Sequence, residues 1–231
     1  MLTKNITVEL TNSELKPYKL SLLQKVYVGI KLIIDFVLAL IGVMVCLVPS
    51  FIIAIAIKLD SKGPVFFKHK RIGKNGKEFT FFKFRSMSIN AKPEVSARDY
   101  VDVDSYVTKI GSFLRKTSLD ELPQLLLVLT GKMSLVGYRP SLKSEPELND
   151  EREKLTVTQI RPGITGWAQV NGRDILAADQ KKKAHYDYYY LTHLSLYLDI
   201  KILLLTVLKV LKRSDIKDGT IDNNIDNHQS T

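Results

Sequence analysis

The dominant feature of the hydropathy pattern is one long apolar run. Residues 32–57 carry a single charge, Asp35. As a straight helix the run would extend about 39 Å, long enough for a bilayer. Beyond it the period changes. Val65-Phe66-Phe67 and Phe79-Thr80-Phe81-Phe82-Lys83-Phe84 flank Gly73-Lys74-Asn75-Gly76. That predicts a β-hairpin over residues 65–85, turning at Asn-Gly because both positions tolerate positive φ. Residues 90–108 are polar and weakly patterned and read as a mobile loop. Residues 109–115, 122–129 and 179–191 predict helices, and 145–159 a charged helix or loop. Residues 194–213 are strongly apolar, with Lys201, Lys209, Lys212 and Arg213 sharing one helical stripe. Such a helix suits a membrane surface or an ordinary core. Residues 214–231 are polar and read as a disordered tail.

The apolar run reads poorly as a cleaved signal peptide, since 31 residues precede it and it is long for a signal core. It fits a single span or a helix that enters the bilayer and returns. Pro49 lies inside it and removes one backbone donor, so a kink or break is expected there. Lys16, Lys19, Lys25 and Lys31 precede it, and Lys58, Lys62, Lys68, Lys70 and Arg71 follow. Basic flanks prefer the cytoplasmic side, and only re-entry keeps both there.

Charge narrows the choice of partner. The 231 residues carry a net charge of +10, and residues 61–92 alone hold 9 basic side chains against 1 acidic. One basic patch points to an anionic membrane, a phosphorylated substrate or nucleic acid. The single cysteine, Cys46, excludes an intrachain disulfide, and the four histidines show no zinc spacing.

Four stretches could carry chemistry. In Ser118-Leu119-Asp120-Glu121-Leu122-Pro123-Gln124-Leu125, two adjacent acids precede an apolar helix. Ser118 and Glu121 fit a capping box, although Pro123 then sits too deep. In either register the helix dipole favours ionised carboxylates, as a nucleophile or a Mg²⁺ ligand requires. In Arg161-Pro162-Gly163-Ile164-Thr165-Gly166-Trp167-Ala168-Gln169-Val170-Asn171-Gly172-Arg173, two arginines bracket three glycines and two amides. This suits a phosphate site or a plain glycine-rich loop. Gly137-Tyr138-Arg139-Pro140 and Lys83-Phe84-Arg85-Ser86-Met87 add cations, read as solvated charges or phosphate contacts. Asp187 is a helix salt-bridge partner or a site acid.

These stretches, in this order from about Lys31 to Arg213, resemble the monotopic phosphoglycosyl transferases, a family of bacterial sugar transferases, in their small form. Gly63-Pro64-Val65-Phe66-Phe67 and Met133-Ser134-Leu135-Val136-Gly137 belong to the match. The resemblance implies an α+β, mostly helical monotopic membrane protein. It would have a proline-broken re-entrant helix within residues 1–60, a catalytic domain over 61–213 and a tail over 214–231. It implies transfer of sugar-1-phosphate from a UDP-sugar to polyprenol phosphate on the cytoplasmic face of a bacterial inner membrane, releasing UMP. Asp120 matches the nucleophile and a Mg²⁺ contact, and Glu121 its partner acid. Lys83, Arg85, Arg115, Arg139, Pro140, Arg161, Gly163, Gly166, Gln169, Asn171, Arg173 and Asp187 are the expected substrate-binding positions. Downstream glycosyltransferases are possible partners. Lys132, Tyr138 and His69 depart from the usual Asp, Pro and Gln. The competing reading, a non-enzymatic membrane module holding anionic lipid or nucleic acid on the hairpin, leaves Asp120, Glu121 and the glycine-arginine loop without a use.

Overall fold

A computed structural model of the chain describes residues 15–91, 106–172 and 179–212. Most of the expected mobile loop, Arg173, Arg213 and the expected disordered tail lie outside the described residues.

Helix α1 runs Leu22–Asp60. It starts on a capping box: the Ser21 hydroxyl accepts from the Gln24 N–H at 3.2 Å, and Gln24 Oε1 accepts from the Ser21 N–H at 3.0 Å. The break expected at Pro49 is corrected here, because helical structure is continuous through it. Proline deletes one rung, and the rungs on either side persist. Lys31, Asp35 and Ala39, then Ile53 and Ile57, are buried at four-residue spacing and face the rest of the chain. Most of the other large side chains of α1, such as Ile33, Met44, Val45 and Phe51, are exposed.

Strands β1 (Phe66–Ile72) and β2 (Glu78–Phe84) form the expected antiparallel hairpin, from Phe66 opposite Phe84 to Ile72 opposite Glu78. Asn75 and Gly76 take the expected positive φ, 55° and 70°. The loop nevertheless has five residues, closed by the Gly73 N–H donating to the Lys77 carbonyl at 2.9 Å.

Helix α2 (Lys109–Thr117) ends at Ser118, which is left-handed at φ 56°. A 3₁₀ turn, Leu119–Gln124, follows, and only then α3 (Leu125–Leu129). The helix expected over 122–129 is therefore two pieces, with Pro123 inside the tighter one. Strand β3 (Ser134–Val136) pairs in parallel with β4 (Gly163–Thr165), a sheet the pattern did not predict because each strand has three residues. Between them lie α4 (Pro146–Lys154) and a 3₁₀ turn, Val157–Gln159. Helices α5 (Trp167–Gly172), α6 (Gln180–Thr192) and α7 (Leu196–Lys212) complete the described chain.

Three apolar clusters hold these elements. Ile53 and Ile57 pack on Phe84 and Leu114, and Ala39 on Phe79, Phe81, Leu127 and Met133. The largest cluster joins Tyr138, Val157, Trp167, Tyr190 and Ile202. Helix α7 buries Leu198, Asp199 and Ile202 and leaves Tyr197, Leu204, Val207 and Leu211 exposed, so it is not an all-round core helix. It is tied to α1 by Lys31, whose Nζ lies 2.6 Å from Asp199 Oδ2 and 3.4 Å from Asp35 Oδ1. Tyr27 and Tyr190 each donate to Asp199 at 2.6 Å. Asp35 accepts from the Ser134 hydroxyl at 2.5 Å. Buried charges demand such partners.

Candidate active site

Alternation along β2 puts Lys83 on the same face as Phe79 and Phe81. Those rings are buried, so Lys83 is aimed across the hairpin at the 3₁₀ turn. Its ammonium lies 3.1 Å from Asp120 Oδ2, and the Asp120 side chain is 7% exposed. The next carboxylate has its own cation: Arg139 Nη1 lies 3.0 Å from Glu121 Oε1. Glu121 holds the Arg139 guanidinium above its ordinary range, against the opposing effect of burial. The two acids thus occupy the first turn of the 3₁₀ element, each with a separate counter-ion. The alternative in which Ser118 and Glu121 form a capping box is not realised, since Ser118 makes no side-chain cap bond.

Two further cations converge here that the motif reading did not single out. Arg71 lies over the Phe81 ring at 5.5 Å and donates to the Pro140 carbonyl at 3.5 Å. Burial, then the charge of Arg139, lowers it to about 10. Lys183 on α6 sits 3.8 Å from Glu145. Burial, then the charge of Arg152, lowers it to about 8. Their signal was weak: each is one lysine or arginine in a basic stretch. Only the Ile72–Ser141 bridge and the packing of α6 on α4 bring them near Arg139.

The other expected site residues fall elsewhere. Pro140 is buried and offers Arg71 its carbonyl. Arg115 is half-buried on the last turn of α2, just ahead of the acids. Arg161 packs on Gly131, where a Cβ would lie 3.2 Å from Nη2. Arg85 is turned away from Asp120 and bonds the end of α1. Asp187 is 1% exposed and bound by Arg152 Nε at 3.0 Å and Nη2 at 2.5 Å.

The glycine-arginine loop owes its glycines to packing. A Cβ on Gly163 would lie 2.1 Å from the Gly137 nitrogen, and one on Gly166 1.9 Å from the Gly137 oxygen. The Gly163 N–H is occupied by the Tyr138 carbonyl at 2.8 Å. Gln169 and Asn171 donate to the Ile164 and Trp167 carbonyls at 2.9 and 2.8 Å. These glycines let β3 and β4 approach, which is how Arg139 is delivered to Glu121.

Of the departing positions, Tyr138 is buried with its ring 4.9 Å from the Arg152 guanidinium. His69 stacks on Phe67, and Lys132 is exposed in the turn after α3.

Among the described residues, no group of three Asp, Glu, His or Cys side chains could enclose a metal. Mg²⁺ does not require one: it is commonly held by one or two carboxylates together with substrate phosphates and water. Asp120 and Glu121 fit that mode.

A profile described as "Bacterial sugar transferase" matches residues 26–213. A UDP-glucose:undecaprenyl-phosphate glucose-1-phosphate transferase of Xanthomonas campestris pv. campestris is 42% identical over 193 residues, 80% of this chain and 39% of that protein. A UDP-N-acetylgalactosamine-undecaprenyl-phosphate N-acetylgalactosaminephosphotransferase of Aeromonas hydrophila is 38% identical, over 80% of this chain and 44% of that protein. An uncharacterized sugar transferase of Bacillus subtilis (strain 168), EpsL, is 44% identical, over 72% of this chain and 79% of that protein. The chain spans about four-tenths of the length of the first two.

Proposed function

Since the chain belongs to the bacterial sugar transferase family, we propose that it transfers sugar-1-phosphate from a UDP-sugar to undecaprenyl phosphate and releases UMP. The observation that carries this reading is the pair of adjacent acids, each held by its own cation, Lys83 to Asp120 and Arg139 to Glu121. A lone structural ion pair has no use for the second acid or for Arg71 and Lys183 beside it.

In this reading Asp120 is the nucleophile. Its Oδ attacks the β-phosphorus of the donor, and the bond from that phosphorus to the bridging oxygen breaks. UMP leaves with the electron pair, and a phosphosugar-aspartyl enzyme remains. An oxygen of the lipid phosphate then attacks the same phosphorus and frees the Asp120 carboxylate, so the kinetics are ping-pong. Lys83 pairs with the carboxylate and keeps it aimed while it waits. Arg139, with Arg71 and Lys183 behind it, grips the diphosphate; arginines do this bidentately. Glu121 orients Arg139. Asp120 and Glu121 would hold Mg²⁺, which would supply positive charge to offset that of the leaving group.

In this reading helix α1 bends at Pro49 while keeping its helical hydrogen bonds on either side, so that it enters the cytoplasmic side of the bilayer and returns. Support comes from both its ends packing on one body, through Lys31 and Asp35 at one end and Ile53 and Ile57 at the other. The basic outer face of the hairpin, where Lys68, Lys70, Lys74 and Lys77 are exposed, suits anionic lipid headgroups at that surface.

The test is UMP release by the purified chain with Mg²⁺, undecaprenyl phosphate and UDP-glucose or UDP-N-acetylgalactosamine. Asp120→Asn should abolish release. Full turnover by that variant would remove the assigned nucleophile, and UDP in place of UMP would assign a different reaction.

A further inference from the structure

We propose that Arg85 is a positioning residue that clamps the carboxyl end of α1 to the strand carrying Lys83, so that the end of the membrane helix sets the Lys83–Asp120 pair. The proposal rests on the reading of Asp120 as the reacting carboxylate.

Arg85 is 5% exposed, so a substrate phosphate has no path to it. Its guanidinium is taken up by the carbonyls at the end of α1. Nη1 donates to Lys62 O at 2.7 Å, and Nη2 to Ser61 O at 2.7 Å, Ser61 Oγ at 2.9 Å and Ile57 O at 3.4 Å. Ile57 O also accepts from the Ser61 N–H, and Ser61 and Lys62 directly follow the last residue of α1, so the cation meets the negative end of the helix dipole. The fit leaves no spare room. Gly63 has φ +122°, and a Cβ on it would lie 2.1 Å from Arg85 Nη1. Arg85 directly follows β2, and Lys83 lies two residues back within that strand, about 7 Å away.

The same turn of α1 also holds the other half of the pair. Asp60, the last residue of the helix, accepts from the Ile110 N–H at 3.1 Å. That N–H is one of the unpartnered donors at the start of α2, and α2 leads directly to Ser118 and Asp120. Gly111 presses against the chain just after Arg85: a Cβ there would lie 1.9 Å from Ser86 O. Ile57, Phe84 and Leu114 fill the space between. One helical turn therefore braces both the strand of Lys83 and the helix that leads to Asp120. If α1 shifts relative to the domain, the distance between the ammonium and the carboxylate changes with it.

The test is a double-mutant cycle in the full chain, reconstituted in nanodiscs. Single-turnover UMP release is measured from radiolabelled UDP-glucose or UDP-N-acetylgalactosamine, whichever the protein turns over. Arg85→Lys keeps the charge but loses the fork. It should lower the turnover rate about tenfold while leaving the KM for donor within about twofold. In a Lys83→Met background the same change should cost less than about twofold, because the interaction it positions is already gone. Asp60→Asn, which acts on the other half, should behave alike and serves if Arg85→Lys does not fold. Equal losses in both backgrounds would overturn the proposal, and so would a rise in KM without loss of rate, which would return Arg85 to substrate binding. Full activity of Lys83→Met would sink the reading of the site itself.

Discussion

Asp187→Asn should unfold the protein early and leave its chemistry intact. Arg152 and Asp187 are both 1% exposed, and Nε and Nη2 of Arg152 reach Asp187 Oδ2 at 3.0 and 2.5 Å. The nearby Tyr138 ring contributes a face to the guanidinium but no acceptor in its plane. Neutralising the acid leaves a buried arginine without a counter-charge, which costs about 3–5 kcal/mol. In a chain of this size each kcal/mol lowers Tm by about 2–4 °C, so the fall should be on the order of 6–20 °C. Trp167, the only tryptophan, is buried against Tyr189 and reports unfolding by fluorescence. Arg152→Met combined with Asp187→Leu should recover most of the loss, because it leaves no charge behind. UMP release measured well below the midpoint should stay within about twofold of the parent chain. The reasoning fails if Asp187→Asn keeps its Tm and loses turnover, which would make Asp187 an acid of the site.

Three further outcomes follow from the structure. Lys183 titrates at about 8 because burial disfavours its ammonium, so above that pH the diphosphate loses one cation. The KM for donor should therefore rise through pH 8, and Lys183→Gln should show the raised KM at lower pH without that rise. Gly166→Ala forces a Cβ to 1.9 Å from the Gly137 oxygen and should cost about 1–3 kcal/mol in thermal unfolding; an unchanged Tm would contradict the close approach of the two loops. Lys19→Cys and Asn90→Cys, each in a Cys46→Ser background, should both be protected from an impermeant thiol reagent in intact cells. Labelling of residue 19 alone would establish a full span.

The elements legible in the sequence were those whose signal is local. The apolar run became α1, and the alternation about Asn75-Gly76 became the hairpin. The Asp120-Glu121 pair was visible because two acids before an apolar helix are unusual without a counter-charge nearby. Illegible were the counter-charges themselves: Lys83 lies 37 residues before Asp120, and Arg139 lies 18 after Glu121. A packing role for the glycines was illegible for the same reason: Gly163 and Gly166 stand 26 and 29 residues after Gly137, which they approach closely in the fold. The burial of Arg85 and Asp187 was equally illegible, because side-chain type does not reveal it.

The net charge shows the same division. The sequence by itself located the basic excess in residues 61–92 and placed it beside the apolar helix. It could not say which cations face outward. In the folded hairpin, pleating leaves Lys68 and Lys70 exposed, while Arg71, Lys83 and Arg85 turn toward Pro140, Asp120 and the end of α1. Local pattern determines which elements form, since backbone period and turn preference act over a few residues. Pairing of charges across tens of residues depends on how those elements pack, and only the tertiary structure decides that.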